Sequence, residues 1–450
     1  MSIRQAPSPA EPARITHMGQ SLTARAWRWR GGNMDIAGDG ALAAHTPGED
    51  LVTQLLLARG VAPADLERQR TPTLRAFLPD PSVLQDMDKA AARLADAVVA
   101  GEAVAVYGDY DVDGATSAAL LLRFLRMLGR EGRPYIPDRL LEGYGPTGEA
   151  LLRLAAEGAQ LILTVDCGAM AHEALAMAAD GGVDVIVVDH HKCAAELPRA
   201  LALVNPNRLD ESPEGASFGH LAAVGVAFLL AIATARELRR RGWFAGRQEP
   251  DLLALLDLVA LGTVADVAAL HGLNRALVAQ GLKVMARREN IGMAALADSS
   301  RLSRAPTCSD LGFAMGPRVN AGGRVGEAML GVRLLTSDSP EEAREIAAQL
   351  SRHNEERRAI EAAVQQAAEA LIDAQHNRSV LVLAGEGWHP GVIGIVAGRI
   401  KEKTGKPTFV VALDGAQGKG SGRSVAGVDL GAAVIAAREA GLLVAGGGHA

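Results

Sequence analysis

The chain has 450 residues, 48% of them apolar, and a formal charge of -6. This length and apolar content suit two or three globular domains, and the acidic balance gives no overall attraction to nucleic acid, so any polyanion site must be a local patch. Three cysteines without paired spacing exclude a disulfide framework or a cysteine zinc site and point to a reducing cytoplasm.

Residues 1–50 carry prolines and scattered charges but no apolar secretory core, and are expected to form a flexible tail. Helical spacing follows in 51–78 and again in 86–99, where Met87, Ala90, Ala91, Leu94 and Val98 recur at helical intervals. The run 103–107 is short, β-branched and bounded by glycine, which predicts a strand covered on both faces. It ends in Asp109, Asp111 and Asp113, and 115–128 has helical composition. The acidic loop therefore joins a strand to a helix, where open α/β sheets bind ligands. Three acids so close repel one another unless a cation compensates them, and oxygen donors suit magnesium or manganese. A solvated acidic turn would show the same residues.

The turn-rich stretch 136–145 carries Arg139, which either lines a site or is solvated on a surface connection. Three further runs, 161–165, 183–188 and 201–204, read as strands. The first ends in Asp166 and the second in Asp189-His190-His191. Helical segments such as 171–179 lie between them, which predicts βαβ alternation and a parallel sheet carrying all of these residues on one edge. The uncharged stretch 218–235 includes His220 and barely reaches spanning length, so it reads as a buried helix rather than a membrane span. The apolar helical run 251–265 finishes at Asp266, an ordinary helix-end residue that gains weight only from the acidic cluster. Residues 315–324 read as a glycine-rich loop in which glycines admit a polyanion to the backbone beside Arg318 and Arg324.

Ser339-Pro340-Glu341-Glu342 has the pattern of a capping box and opens a helix expected to reach 374, about 50 Å. Its charged 352–358 stretch is expected to be exposed on a connector. Strands at 380–383 and 408–413 and a helix at 392–403 follow. Between 399 and 423 six basic residues face two acids, a local charge of +4. The stretches 418–424 and 446–449 have the small residues and donors of a phosphate cradle. The expected organisation is a tail (1–50), an α/β catalytic domain with N-terminal helices (51–336), a connecting helix (337–378) and a smaller α/β domain (379–450).

Asp189-His190-His191 is the triplet that names the DHH phosphoesterase superfamily, which this sequence resembles. The longer stretches Tyr107-Gly108-Asp109-Tyr110-Asp111-Val112-Asp113-Gly114, Leu261-Gly262-Thr263-Val264-Ala265-Asp266, Gly316-Pro317-Arg318-Val319-Asn320 and Ser421-Gly422-Arg423-Ser424 are similar to the RecJ family of bacterial single-strand-specific DNA exonucleases, from about Leu51 to the last residue. The resemblance implies a parallel-sheet DHH domain joined by a long helix to a smaller α/β DHHA1 domain. It implies a 5′→3′ exonuclease that degrades single-stranded DNA to mononucleotides in repair and recombination, using two Mn²⁺ or Mg²⁺ ions. Asp111 and Asp166 would hold one ion, and Asp113, Asp166, His190 and Asp266 the other, with Asp109 close by. His191 would face the scissile phosphate, supported by Asp189. Arg139, Arg318, Ser421 and Arg423 map onto residues that hold the 5′ end; Asn320, Arg324, Ser424 and His449 complete the expected substrate-binding set. Single-stranded DNA is the expected partner, with a single-strand-binding protein and a helicase, and no membrane. Family members continue past the 446–449 turn into a helix and an oligonucleotide-binding barrel, so the resemblance implies a truncated chain. Two other readings are a phosphodiesterase of short oligoribonucleotides or cyclic dinucleotides, and a non-catalytic replication scaffold. Scaffold relatives have lost metal carboxylates, whereas all are present here.

Overall fold

The computed structural model describes residues 51–139, 142–375, 377–444 and 446. The described residues up to Ala76 form a unit apart from the described residues from Phe77 on. Within it, helices Leu51–Ala58 and Leu66–Arg70 are tied by Arg70 Nη1 donating to Thr53 Oγ1 (3.0 Å).

The larger unit is built on a five-stranded, wholly parallel sheet of order β2-β1-β3-β4-β5. Its strands are β1 (Val104–Gly108), β2 (Gly132–Tyr135), β3 (Leu161–Val165), β4 (Asp184–Val188) and β5 (Ala202–Val204). β2 is not visible in the sequence because Gly132-Arg133-Pro134-Tyr135 has no apolar pattern; Pro134 is tolerated because β2 is an edge strand. β1 and β3 are buried throughout, as a sheet covered on both faces requires. Ala105, Tyr107, Ile162 and Val187 pack with Leu151, Leu154 and Leu175 from helices Gly148–Ala156 and His172–Asp180. Helix α3 (Ala223–Arg240) packs against both α1 (Met87–Ala100) and α2 (Val112–Met127). α3 is the uncharged stretch, buried along most of its length, and no helix among the described residues is long and apolar enough to cross a membrane.

α4 (Leu256–Ala265) ends at Asp266, its C-terminal cap. The expected glycine-rich loop is instead a helix, α5 (Gly316–Val325), entered through a π-helical turn Leu311–Met315. Pro317 occupies the first turn, and the glycines serve close packing: a Cβ at Gly323 would strike the Tyr110 carbonyl.

α6 (Pro340–Glu369) has 30 residues, about 45 Å, and stops five residues before the expected end. Ser339 Oγ accepts from Glu342 N (3.3 Å), but the Glu342 carboxylate turns to Ser337 Oγ (2.9 Å) and Arg333 Nη2 (3.1 Å), so only half of the capping box forms. The charged stretch is not wholly exposed either. Asn354 is buried, and Arg357 pairs with Glu361, itself 1% exposed.

The second sheet joins β6 (Leu381–Glu386) and β7 (Thr408–Asp414) in parallel and β8 (Gln417–Arg423) antiparallel to β7. α7 (Ile393–Thr404) connects the parallel pair, and α8 (Leu430–Glu439) follows β8. β8 is the glycine stretch expected as a cradle; a Cβ at Gly422 would lie 2.6 Å from Phe409 Cε1, so small residues are needed for the strand to seat. Two of the patch's basic residues dock α7 on α6: Arg399 pairs with Glu361, and Lys403 with Glu369 (2.7 Å).

Asp257, in the first turn of α4, is 2% exposed, and burial pushes its carboxyl up to about 6. Because the folded-state value lies above the unfolded one, its contribution to stability is fully present below about pH 4 and is lost as pH rises through about 6. Asp257→Asn is therefore expected to stabilise the protein by about 3 kcal/mol at pH 8 and negligibly at pH 4. Urea unfolding at both pH values checks this, and an equal effect at each would contradict it.

Candidate active site

The sheet ladder runs one rung past the strand ends. Asp109 N donates to Val165 O (3.2 Å), Asp166 N to Val188 O (3.0 Å) and Asp189 N to Val204 O (3.1 Å). Since β3 lies between β1 and β4, three acidic residues emerge side by side, and the strand order changes direction between β1 and β3, where such sheets bind ligands.

Local structure then aims each group. Asp111 caps α2, its Oδ1 accepting from Asp113 N (2.8 Å) and Gly114 N (3.1 Å). A Cβ at Gly114 would lie 2.6 Å from Asp109 N, so only glycine allows so tight a turn. Both Asp113 oxygens accept from the start of α3, from Ala223 N (2.7 Å) and Val224 N (2.9 Å). Asp166 has φ +60, a left-handed conformation costing about 1 kcal/mol outside glycine. His190 Nδ1 donates to Leu221 O (3.1 Å), since a carbonyl oxygen can only accept, and this turns Nε2 toward the carboxylates. That Nε2 lies 3.2 Å from Asp166 Oδ1 and 3.8 Å from Asp113 Oδ2.

Three sets of donor atoms lie within 4.8 Å of one another: Asp109, Asp111 and Asp166; Asp113, His190 and Asp266; and Asp166, His190 and His191. Asp166 belongs to two of them. Asp109 Oδ1, Asp166 Oδ1 and His190 Nε2 are buried and have no hydrogen-bond partner, although the last two are neighbours. Buried polar atoms are rarely left so, and donors facing a common space fit a cation. From the protein's own groups alone, burial and then the neighbouring carboxylates push Asp266 up to about 7 and Asp109 and Asp166 well above the usual range. Burial likewise pushes Asp113 up to about 7, with the His190 charge opposing it. Carboxylates and one imidazole make a hard donor set suited to Mn²⁺ or Mg²⁺.

Asp189 is spent on positioning. It accepts from Ala169 N (2.9 Å), His190 N (2.7 Å) and His191 Nδ1 (2.8 Å). Burial alone would raise its pKa, but the His191 hydrogen bond and charge hold it at about 2. Burial alone would lower His191, yet Asp189 raises it to about 9. The Tyr144 hydroxyl lies 3.3 and 3.4 Å from the His191 ring nitrogens.

A cleft of about 220 Å³ adjoins the carboxylates, lined by Asp109, Tyr110, Asp111, Arg139, Tyr144, His191, Asn320 and Arg324. The Arg139 guanidinium sits 4.8 Å over the Tyr110 ring, and Asn320 Oδ1 accepts from Val112 N (3.2 Å). Arg324 donates to Gly391 O (2.9 Å); burial and the charge of Arg139 lower it to about 10. Burial and Arg139 also lower Arg423 and His389. A Cβ at Gly394, in the first turn of α7, would lie 2.9 Å from Ser421 Oγ and 3.1 Å from Arg423 Nη2. Arg139 and Arg324 thus line the cleft, Arg423 and His389 lie within electrostatic reach of Arg139, and among the described residues none of the three arginines has a carboxylate ion-pair partner.

The structure does not bring every expected contact here. Arg318 donates to Ala314 O (2.7 Å) and Ser351 Oγ (3.0 Å), with Glu355, Arg301 and Arg358 as its charged neighbours. Ser424 Oγ donates to Val428 O (2.6 Å) within its own turn. His449 lies outside the described residues. Conversely, Tyr110, Tyr144 and His389 carried no signal of their own, except that Tyr110 stands between two acids and Tyr144 between two glycines.

The sequence matches the DHH family, N-terminal domain, over residues 103–263 and the DHHA1 domain over 377–450. It is 42% identical over 416 residues to the single-stranded-DNA-specific exonuclease RecJ of Dickeya dadantii, spanning 89% of this chain and 70% of that one. Among solved structures, RecJ from Thermus thermophilus in complex with Mn²⁺ superimposes with a TM-score of 0.73 at 36% identity, covering 88% of this chain and 54% of the Thermus chain. The same protein with Mg²⁺ gives 0.65 at 34%, covering 88% and 52%. This chain thus spans about half the length of the Thermus structures.

Asp166→Asn keeps a residue tolerant of left-handed backbone but removes the charge shared by two donor sets. Mn²⁺ at a hundred times its Kd is expected to stabilise the parent by about 2.7 kcal/mol, and this gain should largely vanish in the variant with the circular dichroism spectrum unchanged. Thermal melts with and without Mn²⁺ read it directly; an undiminished shift in the variant would contradict the assignment.

Proposed function

Because the chain belongs to the RecJ family, we propose that it is a divalent-cation-dependent exonuclease that degrades single-stranded DNA from the 5′ end to mononucleotides, in DNA repair and recombination. The observation that carries this reading is the cleft in which Arg139 and Arg324 meet Asp109, Asp111 and His191, with Arg423 and His389 within electrostatic reach of Arg139. A terminal phosphate carries more charge than an internal one, and guanidinium groups bind it in pairs. A cleft of about 220 Å³ suits one end of a flexible strand and not a stiff duplex.

Asp109, Asp111 and Asp166 would hold one ion, and Asp113, His190 and Asp266 with Asp166 the second. Bound there, the ions would supply a water of lowered pKa and stabilise charge on the phosphoryl oxygens. Asp189 orients the His191 imidazole and keeps it protonated near neutral pH, so that it donates to the scissile phosphate and balances charge that develops there. Arg139, stacked on Tyr110, and Arg423, backed by Ser421, hold the terminal phosphate. That the named relatives are single-strand exonucleases supports this reading over a phosphodiesterase of short oligoribonucleotides or cyclic dinucleotides. Since a duplex does not fit, a helicase that opens DNA and a protein that coats single strands are its expected partners. The three thiols, free and mostly buried, suit work in the cytoplasm.

With Mn²⁺, a 5′-phosphorylated single strand is expected to release mononucleotides from its 5′ end, and a blunt duplex to be left intact. Arg423→Ala should raise KM at least tenfold on the phosphorylated strand and less on a 5′-hydroxyl strand, as expected for loss of one charged hydrogen-bond partner. Product analysis on 5′- and 3′-labelled strands checks both; label appearing first from the 3′ end, or equal cleavage of duplex, would overturn the reading.

A further inference from the structure

Two exposed apolar residues lie beside the Asp266 end of α4 and take no part in the site described above. Phe313 is 86% exposed in the π-helical turn, between buried Leu311 and Met315. Val267 follows Asp266 directly, 87% exposed and at φ +61, a conformation β-branched residues rarely adopt. The π turn rests on the last turn of α4: a Cβ at Gly312 would lie 3.6 Å from Val264 Cγ1, and one at Gly316 3.2 Å from Ala265 Cβ. Single π turns within helices concentrate where function requires them.

From this rim α5 crosses the acidic loop. Asn320 meets Val112, Gly323 meets Tyr110, and Arg324 reaches Gly391. Phe313 and Arg324 therefore mark opposite ends of the metal cluster, roughly 15 Å apart along the helical path. Arg318 donates to Ala314 O, the carbonyl one residue on from Phe313, and exposed Arg301 and Arg358 are its positively charged neighbours. Among the described residues neither of these two has a carboxylate ion-pair partner; Glu355 is the acid that faces Arg318.

We propose that Phe313, with Arg301 and Arg358, forms a second DNA subsite that holds the single strand on the 3′ side of the scissile phosphate. This rests on the exonuclease reading: with the 5′ end at Arg139 and Arg423, the rest of the strand leaves past Asp266. An exposed aromatic ring beside arginines without acidic partners is the chemistry of sequence-tolerant single-strand binding, the ring stacking on a base and the guanidinium groups taking phosphates. Val267, fixed beside Asp266, adds apolar surface to the same exit.

The test measures binding of 5′-phosphorylated, hydrolysis-resistant phosphorothioate oligothymidylates of 2 to 12 nucleotides by fluorescence anisotropy. Parent affinity should rise with length. Phe313→Ala should flatten that rise and weaken the longest strand about tenfold, and Phe313→Tyr should restore it. The Arg301→Ala/Arg358→Ala variant should lower the log-log salt slope by about 1.4, for two phosphate contacts. A Phe313→Ala variant that binds every length as the parent does would overturn the subsite. Hydrolysis of unmodified strands is scored separately. Length-dependent binding without hydrolysis would refute the exonuclease reading and leave the subsite standing, whereas hydrolysis with an unchanged length profile in Phe313→Ala would refute the subsite alone.

Discussion

The β1–β3–β4 ladder, extended by one rung through the N–H groups of Asp109, Asp166 and Asp189, brings three acidic side chains out at the strand spacing of about 5 Å. Few arrangements are less favourable for a protein alone. The fold answers each charge separately. Asp113 lies under two amides of α3, Asp111 is turned into a helix cap, and Asp189 is matched by His191. Asp109 and Asp166 keep buried oxygens without partners, and it is these that a cation would satisfy. The sheet therefore supplies position and the surrounding helices supply tolerance, so that the site is held ready at the expense of the protein's own electrostatics.

The catalytic half was legible because a buried parallel strand announces itself twice, by its apolar run and by the abrupt acid that ends it. β1, β3 and β4 show both marks, and the helix 223–240 is apolar and largely buried as far as Ala235, before its charged last turn. The sequence misled where glycine had two possible meanings. In 315–324 and 418–424 glycine suggested a loop open to phosphate, but the missing Cβ atoms let a helix seat on Tyr110 and a strand seat under Phe409. β2, with its proline, had no pattern to detect. Side-chain direction was illegible altogether. Nothing local distinguishes Arg324, aimed into the cleft, from Arg318, aimed the other way six residues earlier, because the difference is set by Ser351 on α6 and Gly391 beyond β6.

Charge counting along the chain was also a partial guide. The basic stretch after 399 appears as a single patch in the sequence, yet Arg399 and Lys403 face the connecting helix, and Arg423 lies against Ser421 and the first turn of α7. One run of positive charge thus divides between holding the second sheet on α6 and staying free of carboxylate partners at Arg423, a division set by the helical period of α7 and the alternation of β8.

Where α5 meets the 389–391 turn, a Cβ at Gly391 would strike the Arg324 carbonyl, so the two backbones touch with no side chain between them. Such a contact has almost no play. It sets the gap between the cations of the second sheet and the carboxylates of the first as firmly as if both belonged to one strand. For the exonuclease proposed above, such a gap acts as a gauge: whatever the base sequence, the backbone would be cut at a fixed distance from its own end, and the size of each fragment would be a property of protein geometry rather than of the DNA.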